Sequence, residues 1–174
     1  MMSREDLDEY HNIGMPIKWN TQFTYPKSSR SLVMGQRHYD VNNNKLPSVT
    51  TILSQTQSKE KQESIAKWKA KVGENEATRV KDQAASRGTN MHLHLERYIL
   101  GRGHKDLTDE GQVAGDMAQT IIDKGLCDVS EVWGSEVTLY YPDLYAGATD
   151  VAGIYSGKES IVDFKQTNKP KRRE

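Results

Sequence analysis

Apolar positions along this chain follow two different periods, and the change from one to the other divides it. Between residues 59 and 124 they recur every three or four positions. Ile65, Trp68 and Val72 fall at i, i+3 and i+7 of a stretch otherwise rich in Lys and Glu, which predicts a helix over 59–72. Val80, Ala84, Met91, Leu95 and Tyr98 share one face of a longer helix, about 76–100, with Gly101 and Gly103 as its stop. Gly88 interrupts that helix at a cost of about 1 kcal/mol relative to Ala, which implies that something packs close to its turn. A third helix over 109–124 is capped by Thr108, turns Val113, Met117 and Ile121 inward and stops at Gly125. After residue 130 the character changes. Residues 131–141 (EVWGSEVTLYY) are β-branched and aromatic, residues 145–155 (YAGATDVAGIY) are apolar and small, Ser156-Gly157 is a turn, and residues 160–165 (SIVDFK) are a short apolar run. These predict three successive antiparallel strands. The fold class is therefore α+β, helices followed by an antiparallel β-meander. The strand–helix–strand alternation of a doubly wound parallel sheet is missing.

The first part of the chain is less regular. Residues 1–30 show no sustained period and hold Gly14, Pro16 and Pro26, so they are expected to form an irregular arm. Arg37–Val41 predicts a short strand, with Asn42-Asn43-Asn44 as turn residues that tolerate left-handed conformations. Ser48 is placed to cap a short helix with Val49, Ile52 and Leu53 on its inner face. Two regions follow from this pass, an N-terminal arm with a short hairpin over 1–45 and a core over 46–174.

Composition narrows the class without naming a partner. The chain has 174 residues, 28 % charged and 35 % hydrophobic, with 24 basic and 24 acidic side chains in balance. Disorder calls for a high net charge, so a folded, highly charged domain is expected. No stretch approaches the roughly 18 apolar residues of a membrane span, and the start MMSREDLDEY lacks a signal peptide's apolar segment. Cys127 is the only cysteine, which excludes an internal disulfide, a multi-cysteine zinc site and a cysteine-held iron–sulfur cluster, and fits a reducing cytoplasm. Charge is uneven along the chain: acids dominate residues 1–10, and Lys169, Lys171, Arg172 and Arg173 make the other end basic.

The candidate chemistry lies near that basic end. In a strand over 160–165, Ile161, Asp163 and Lys165 share one face and Val162 and Phe164 the other. Asp150 breaks the apolar run of the preceding strand, and the Ser156-Gly157 turn folds the two strands together, so Asp150 and Asp163 can meet. Two carboxylates and a lysine at one place suit a divalent metal acting on a phosphodiester. The competing reading is a hairpin whose Asp163 and Lys165 form a salt bridge at the rim. On the long helix, His92 and Glu96 stand one turn apart on one face, a spacing that permits metal ligation, although in isolation such a spacing is more often a surface pair. His94, two residues from His92, points about 200° away and cannot share a zinc ion with it. His11, His38 and His104 read as solvated.

Four ordered segments resemble a known family. They are Leu46-Pro47-Ser48-Val49-Thr50-Thr51-Ile52-Leu53, Arg87-Gly88-Thr89-x-x-His92-x-x-x-Glu96, Ala146-Gly147-x-x-Asp150, and Val162-Asp163-Phe164-Lys165. In this order they resemble the RecB-type branch of the PD-(D/E)xK nuclease superfamily, near the group of phage exonucleases and the mitochondrial genome maintenance exonuclease. The resemblance implies a restriction-endonuclease-like core. In it Asp150 and Asp163 are the motif acids, Lys165 the motif lysine and His92 a metal ligand, with Glu96, Glu136 and Gln166 in support. It implies that this core continues past the lysine with a further strand and a helix bearing a Gln-x-x-x-Tyr motif, neither of which lies within the 46–174 core.

The activity so implied is metal-dependent exonuclease hydrolysis of single-stranded or frayed DNA, leaving 5′-phosphates. Asp150, Asp163 and His92 would hold Mg²⁺ or Mn²⁺, and Lys165 would orient water and stabilise charge at phosphorus. Arg87, Lys169, Lys171, Arg172 and Arg173 would contact DNA, as would the Lys-rich helix over 59–71. A DNA-binding remnant without turnover is the alternative, and a plain interaction domain the blander one. The single Cys127 speaks against the iron–sulfur branch of such nucleases.

Overall fold

The structure is a computed structural model that describes residues 14–167. The basic residues Lys169, Lys171, Arg172 and Arg173, and also His11, lie outside the described residues. Four helices carry the 3.6-residue pattern: α1 (Val49–Gln55), α2 (Lys59–Val72), α3 (Glu74–Ile99) and α4 (Asp109–Lys124). Their starts are local chemistry. The side chains of Ser48, Ser58 and Thr108 accept from the amides of Thr51, Lys61 and Gly111, satisfying donors that each first turn leaves open. At its C-terminal end α3 stops at Gly101, whose φ of +72° suits a residue without Cβ.

The strands are β1 (Lys18–Trp19), β2 (Ser28–Val33), β3 (Gln36–Val41), β4 (Asn44–Pro47), β5 (Val129–Tyr141), β6 (Tyr145–Tyr155) and β7 (Lys158–Val162). One sheet has the order β1-β5-β6-β7 and the other β2-β3-β4. The fold is α+β. β6 and β7 pair antiparallel from Val151↔Val162 to Tyr155↔Lys158, whereas β1 adds to β5 in parallel, Lys18 opposite Glu131.

The described chain divides into two compact units. One combines residues 14–23, 83–136 and 150–167; the other combines 24–82 and 137–149. In the first, Met91, Leu95 and Ile99 of α3 pack with Ala114 and Ala118 of α4, Val132 of β5, Val151 of β6 and Phe164. Each such large apolar side chain contributes roughly 2 kcal/mol on burial. In the second, Tyr39, Val41, Leu46 and Ala146 form a smaller core.

Several expectations need correction. Residues 18–19 and 28–33 are strands, not an irregular arm. Their stability comes from pairing with β5 and β3, which leaves no period in so short a sequence. The meander gains a parallel strand, β1, for the same reason. The last strand ends at Val162, so Asp163 and Lys165 lie beyond it. Met117 and Ile121 of α4 pack against the core as expected, but other residues assigned to inner faces are exposed. Leu53 is 61 % and Val113 45 % exposed, Val49, Ile65 and Trp68 are also exposed, and α1 and α2 contain no buried residue. The buried stripe of α4 is Gly111, Ala114 and Ala118, because small residues admit the closest approach. His104 is not simply solvated: its ring packs on His94 at 4.3 Å between centroids, and Arg97 lies 2.9 Å from its Nδ1.

Candidate metal centre

Three segments of the first unit deliver one side chain each to a common point. α3 brings His92, β5 brings Glu136, and β6 brings Asp150. One ligand atom from each lies within 4.8 Å of the other two. His92 lies on α3 beside the buried Met91, and its ring reaches Asp150 of β6. Its Nδ1 is 3.2 Å from Asp150 Oδ1. The other oxygen of Asp150 accepts the backbone amide of Phe164 at 2.6 Å. Asp150 is therefore held from two sides, by a helix and by the segment after β7.

Glu136 arrives by a different route. Along β5 the buried positions Val132 and Gly134 give way to Ser135 and Val137, so the alternation slips by one residue. Glu136 at the slip has φ of +52°. That left-handed conformation costs an L-residue roughly 1 kcal/mol, and such a slip re-aims a side chain as a β-bulge does. The result is a carboxyl brought toward His92 and Asp150. Nothing in the residue types of 131–141 signals this backbone, and only the acid itself was visible in the sequence.

The electrostatics follow from crowding. Burial, then the charges of Asp150 and Glu96, push the Glu136 carboxyl up to about 7. Burial also acts to raise Asp150. The hydrogen bonds from His92 and the Phe164 amide outweigh it and hold this carboxyl below the ordinary value. The same bond to Asp150 raises His92, against its own burial. The group is thus a neutral or shared-proton carboxyl beside an ionised one, joined by an imidazole.

Asp163 and Lys165 stand at the rim. Lys165 Nζ is 3.0 Å from Asp163 Oδ2, and the two side chains are 64 % and 55 % exposed. Asp163 is not among the three side chains whose ligand atoms converge; in this geometry it forms the rim salt bridge. Glu96 enters through its charge on Glu136. Arg87 is turned to Gln166, its Nε donating to Oε1 at 2.8 Å. The contribution of the Phe164 backbone was missed from the sequence, although the inward phase of Val162 and Phe164 was its only available signal.

An imidazole nitrogen and two carboxylates form a mixed nitrogen–oxygen donor set for a divalent cation. Their ligand atoms lie within 4.8 Å of one another, close enough for one cation to be shared among them. Two acids forced together, one of them made to keep a proton near neutrality, also form the setting that a bound cation relieves.

No family profile matches the chain. Among curated proteins it is similar to mitochondrial genome maintenance exonuclease 1 of Xenopus tropicalis, 28 % identical over 170 residues, covering 95 % of this chain and 47 % of that protein. The human protein of the same name is 28 % identical over 133 residues, covering 74 % of this chain and 38 % of that one. The chain thus spans about half the length of these relatives or less. At this distance the likeness supports a relationship to exonucleases.

Proposed function

We propose that this chain carries the metal-binding centre of a divalent-metal-dependent DNA exonuclease, built on a restriction-endonuclease-like core of the PD-(D/E)xK type. The observation that carries the reading is the convergence of His92, Glu136 and Asp150 within 4.8 Å, on a chain similar to proteins named as exonucleases.

His92, Asp150 and Glu136 would hold Mg²⁺ or Mn²⁺, with Asp163, the second motif acid of the resemblance, at the rim. Such an ion supplies Lewis-acid stabilisation of phosphoryl charge and a more acidic water. The chain's own groups do the rest. Asp150 fixes the His92 ring by the Nδ1 contact, so the imidazole has one orientation. Lys165 carries a positive charge at the exposed rim, where a phosphodiester approaching the carboxylates would meet it. Asp163 pairs with that ammonium at 3.0 Å. Single-stranded or frayed ends are the substrate form suggested by the family resemblance, and Lys169, Lys171, Arg172 and Arg173 are the cations proposed to follow the backbone.

The test is degradation of end-labelled single-stranded DNA by the 174-residue chain, with Mn²⁺ and with excess chelator, beside Asp150→Asn. Cleavage that needs the metal and disappears in the variant supports the proposal. Cleavage that survives both treatments overturns it. Metal binding without cleavage favours the alternative, a DNA-binding remnant.

A further inference from the structure

We infer that Gln166 is the positioning residue for Lys165, and that Gly88 is glycine so that Gln166 can reach its anchor. The inference rests on the nuclease reading for its consequence in turnover, but not for its structural content.

The paired register of β7 with β6 runs to Val151↔Val162, and Asp163, Phe164 and Lys165 lie beyond it. The inward and outward phase persists there: Val162, Phe164 and Gln166 are less exposed than Ile161, Asp163 and Lys165. Lys165 is flanked by two anchored neighbours. On one side of Lys165 the anchor is Phe164, buried in the core with its amide on Asp150. On the other side it is Gln166. Its Oε1 accepts from Arg87 Nε at 2.8 Å and its Nε2 donates to the backbone carbonyl of Ala84. Both amide functions are used, one as acceptor and one as donor, on successive turns of α3. Among the described residues the ion pair of Lys165 is with Asp163 and is exposed, and such a pair is too weak to fix a long side chain. Its backbone is fixed by its two neighbours.

Gly88 explains how Gln166 gets there. The Ala84 carbonyl points along the helix toward residue 88, one turn on. A Cβ added at Gly88 would lie 2.9 Å from Gln166 Nε2, the far end of a flexible side chain, so this amide is the group that would have to shift. A glycine in the middle of a 26-residue helix is a disadvantage for the helix, and this opening for the Gln166 amide is what it provides. The same substitution therefore favours the helix and displaces the clamp.

The experiment uses the full chain and four variants: Gln166→Ala, Gly88→Ala, the double variant, and Gln166→Glu, which can accept from Arg87 but cannot donate to Ala84. Mn²⁺ affinity is measured by calorimetry, kcat and KM on end-labelled single-stranded DNA, and backbone amide order parameters by NMR relaxation over residues 163–167 in metal-free protein. Each variant is expected to bind Mn²⁺ within about twofold of the parent and to keep its KM, while kcat falls about tenfold to a hundredfold. The order parameter at Lys165 is expected to fall from about 0.85 to below about 0.6, with that of Phe164 little changed. The double variant should be no worse than either single one, because the effect of Gly88→Ala on this segment runs through Gln166. A parental order parameter at Lys165 in Gln166→Ala, or additive losses in the double variant, would overturn the inference. Parental kcat with a lowered order parameter would overturn the positioning role, and a parallel loss of Mn²⁺ affinity would do so by showing a general disturbance of the centre. If the parent neither cleaves DNA nor binds Mn²⁺, the nuclease reading fails by itself, and the order parameters still decide whether Gln166 holds the segment.

Discussion

The Phe164 amide donates to Asp150 Oδ2 at 2.6 Å, and this single bond ties the segment bearing Asp163 and Lys165 to the acid that also holds His92. It is buried, so its loss has a defined cost. Asp150→Ala leaves the amide without a partner and is expected to destabilise the chain by about 1–3 kcal/mol. Asp150→Asn keeps an acceptor and should cost less, while losing metal affinity as completely. Urea unfolding and Mn²⁺ calorimetry on the two variants separate the roles. Equal stability of the two would contradict the bond's importance.

Glu136 should oppose folding and favour metal. Its folded-state value of about 7 lies above the ordinary 4.5. The neutral form is thus favoured in the fold, and the associated stability is fully present below about 4.5 and lost as pH rises through about 7. Glu136→Gln removes that loss. At pH 8 the metal-free variant is expected to be more stable than the parent by roughly 1 kcal/mol, discounted for partial exposure, or about 3 °C in midpoint. Its Mn²⁺ affinity should fall. A variant that is less stable at pH 8 than the parent would refute this account of the carboxyl cluster.

Metal binding should itself depend on pH through the same groups. A ligating Glu136 must be ionised and a ligating His92 neutral, and both are raised in the metal-free state. Mn²⁺ affinity is therefore expected to rise as pH passes upward through about 7, with protons released on binding. Calorimetry in buffers of different ionisation enthalpy measures the release. Affinity that falls over this range would exclude these ligands.

Bound metal should stabilise the fold. At a concentration about 100 times Kd, the gain is roughly 2.7 kcal/mol, a rise of several degrees in the unfolding midpoint that chelator reverses. His92→Ala should abolish most of this rise without changing the midpoint of the metal-free chain by more than a few degrees. An undiminished rise in that variant would remove His92 from the centre.

Lys165→Ala should act on turnover. Its side chain is mostly exposed and its ion pair with Asp163 is a rim pair, so stability should change by less than about 1 kcal/mol. Removing a cation near the ion should leave Mn²⁺ affinity equal or higher. Loss of one donor aimed at developing charge costs a factor of about 10²–10³ in kcat. Cleavage at the parental rate would sink the assignment of Lys165.

The sequence by itself determined what depends on neighbours along the chain. Helix periods over 59–72, 76–100 and 109–124, the Ser48 and Thr108 caps and the left-handed turn at Asn42 and Asn43 all rest on contacts within a turn or two, and the structure has them close to where they are read. The β6–β7 hairpin was legible because its turn and alternation are local too. Tertiary structure decided the rest. Strands β1 and β2 exist because β5 and β3 offer them hydrogen bonds, which no local pattern encodes. The faces of α1 and α2 were misjudged because periodicity shows that a stripe is apolar and not whether anything covers it. The types of His92, Asp150 and Glu136 stood in the sequence as candidates. Their meeting point depends on a backbone with φ of +52° at Glu136 and on the pairing that brings β5 and β6 beneath α3. Such geometry is set by long-range packing strong enough to hold a strained residue in place, and it is written in no single stretch of the chain.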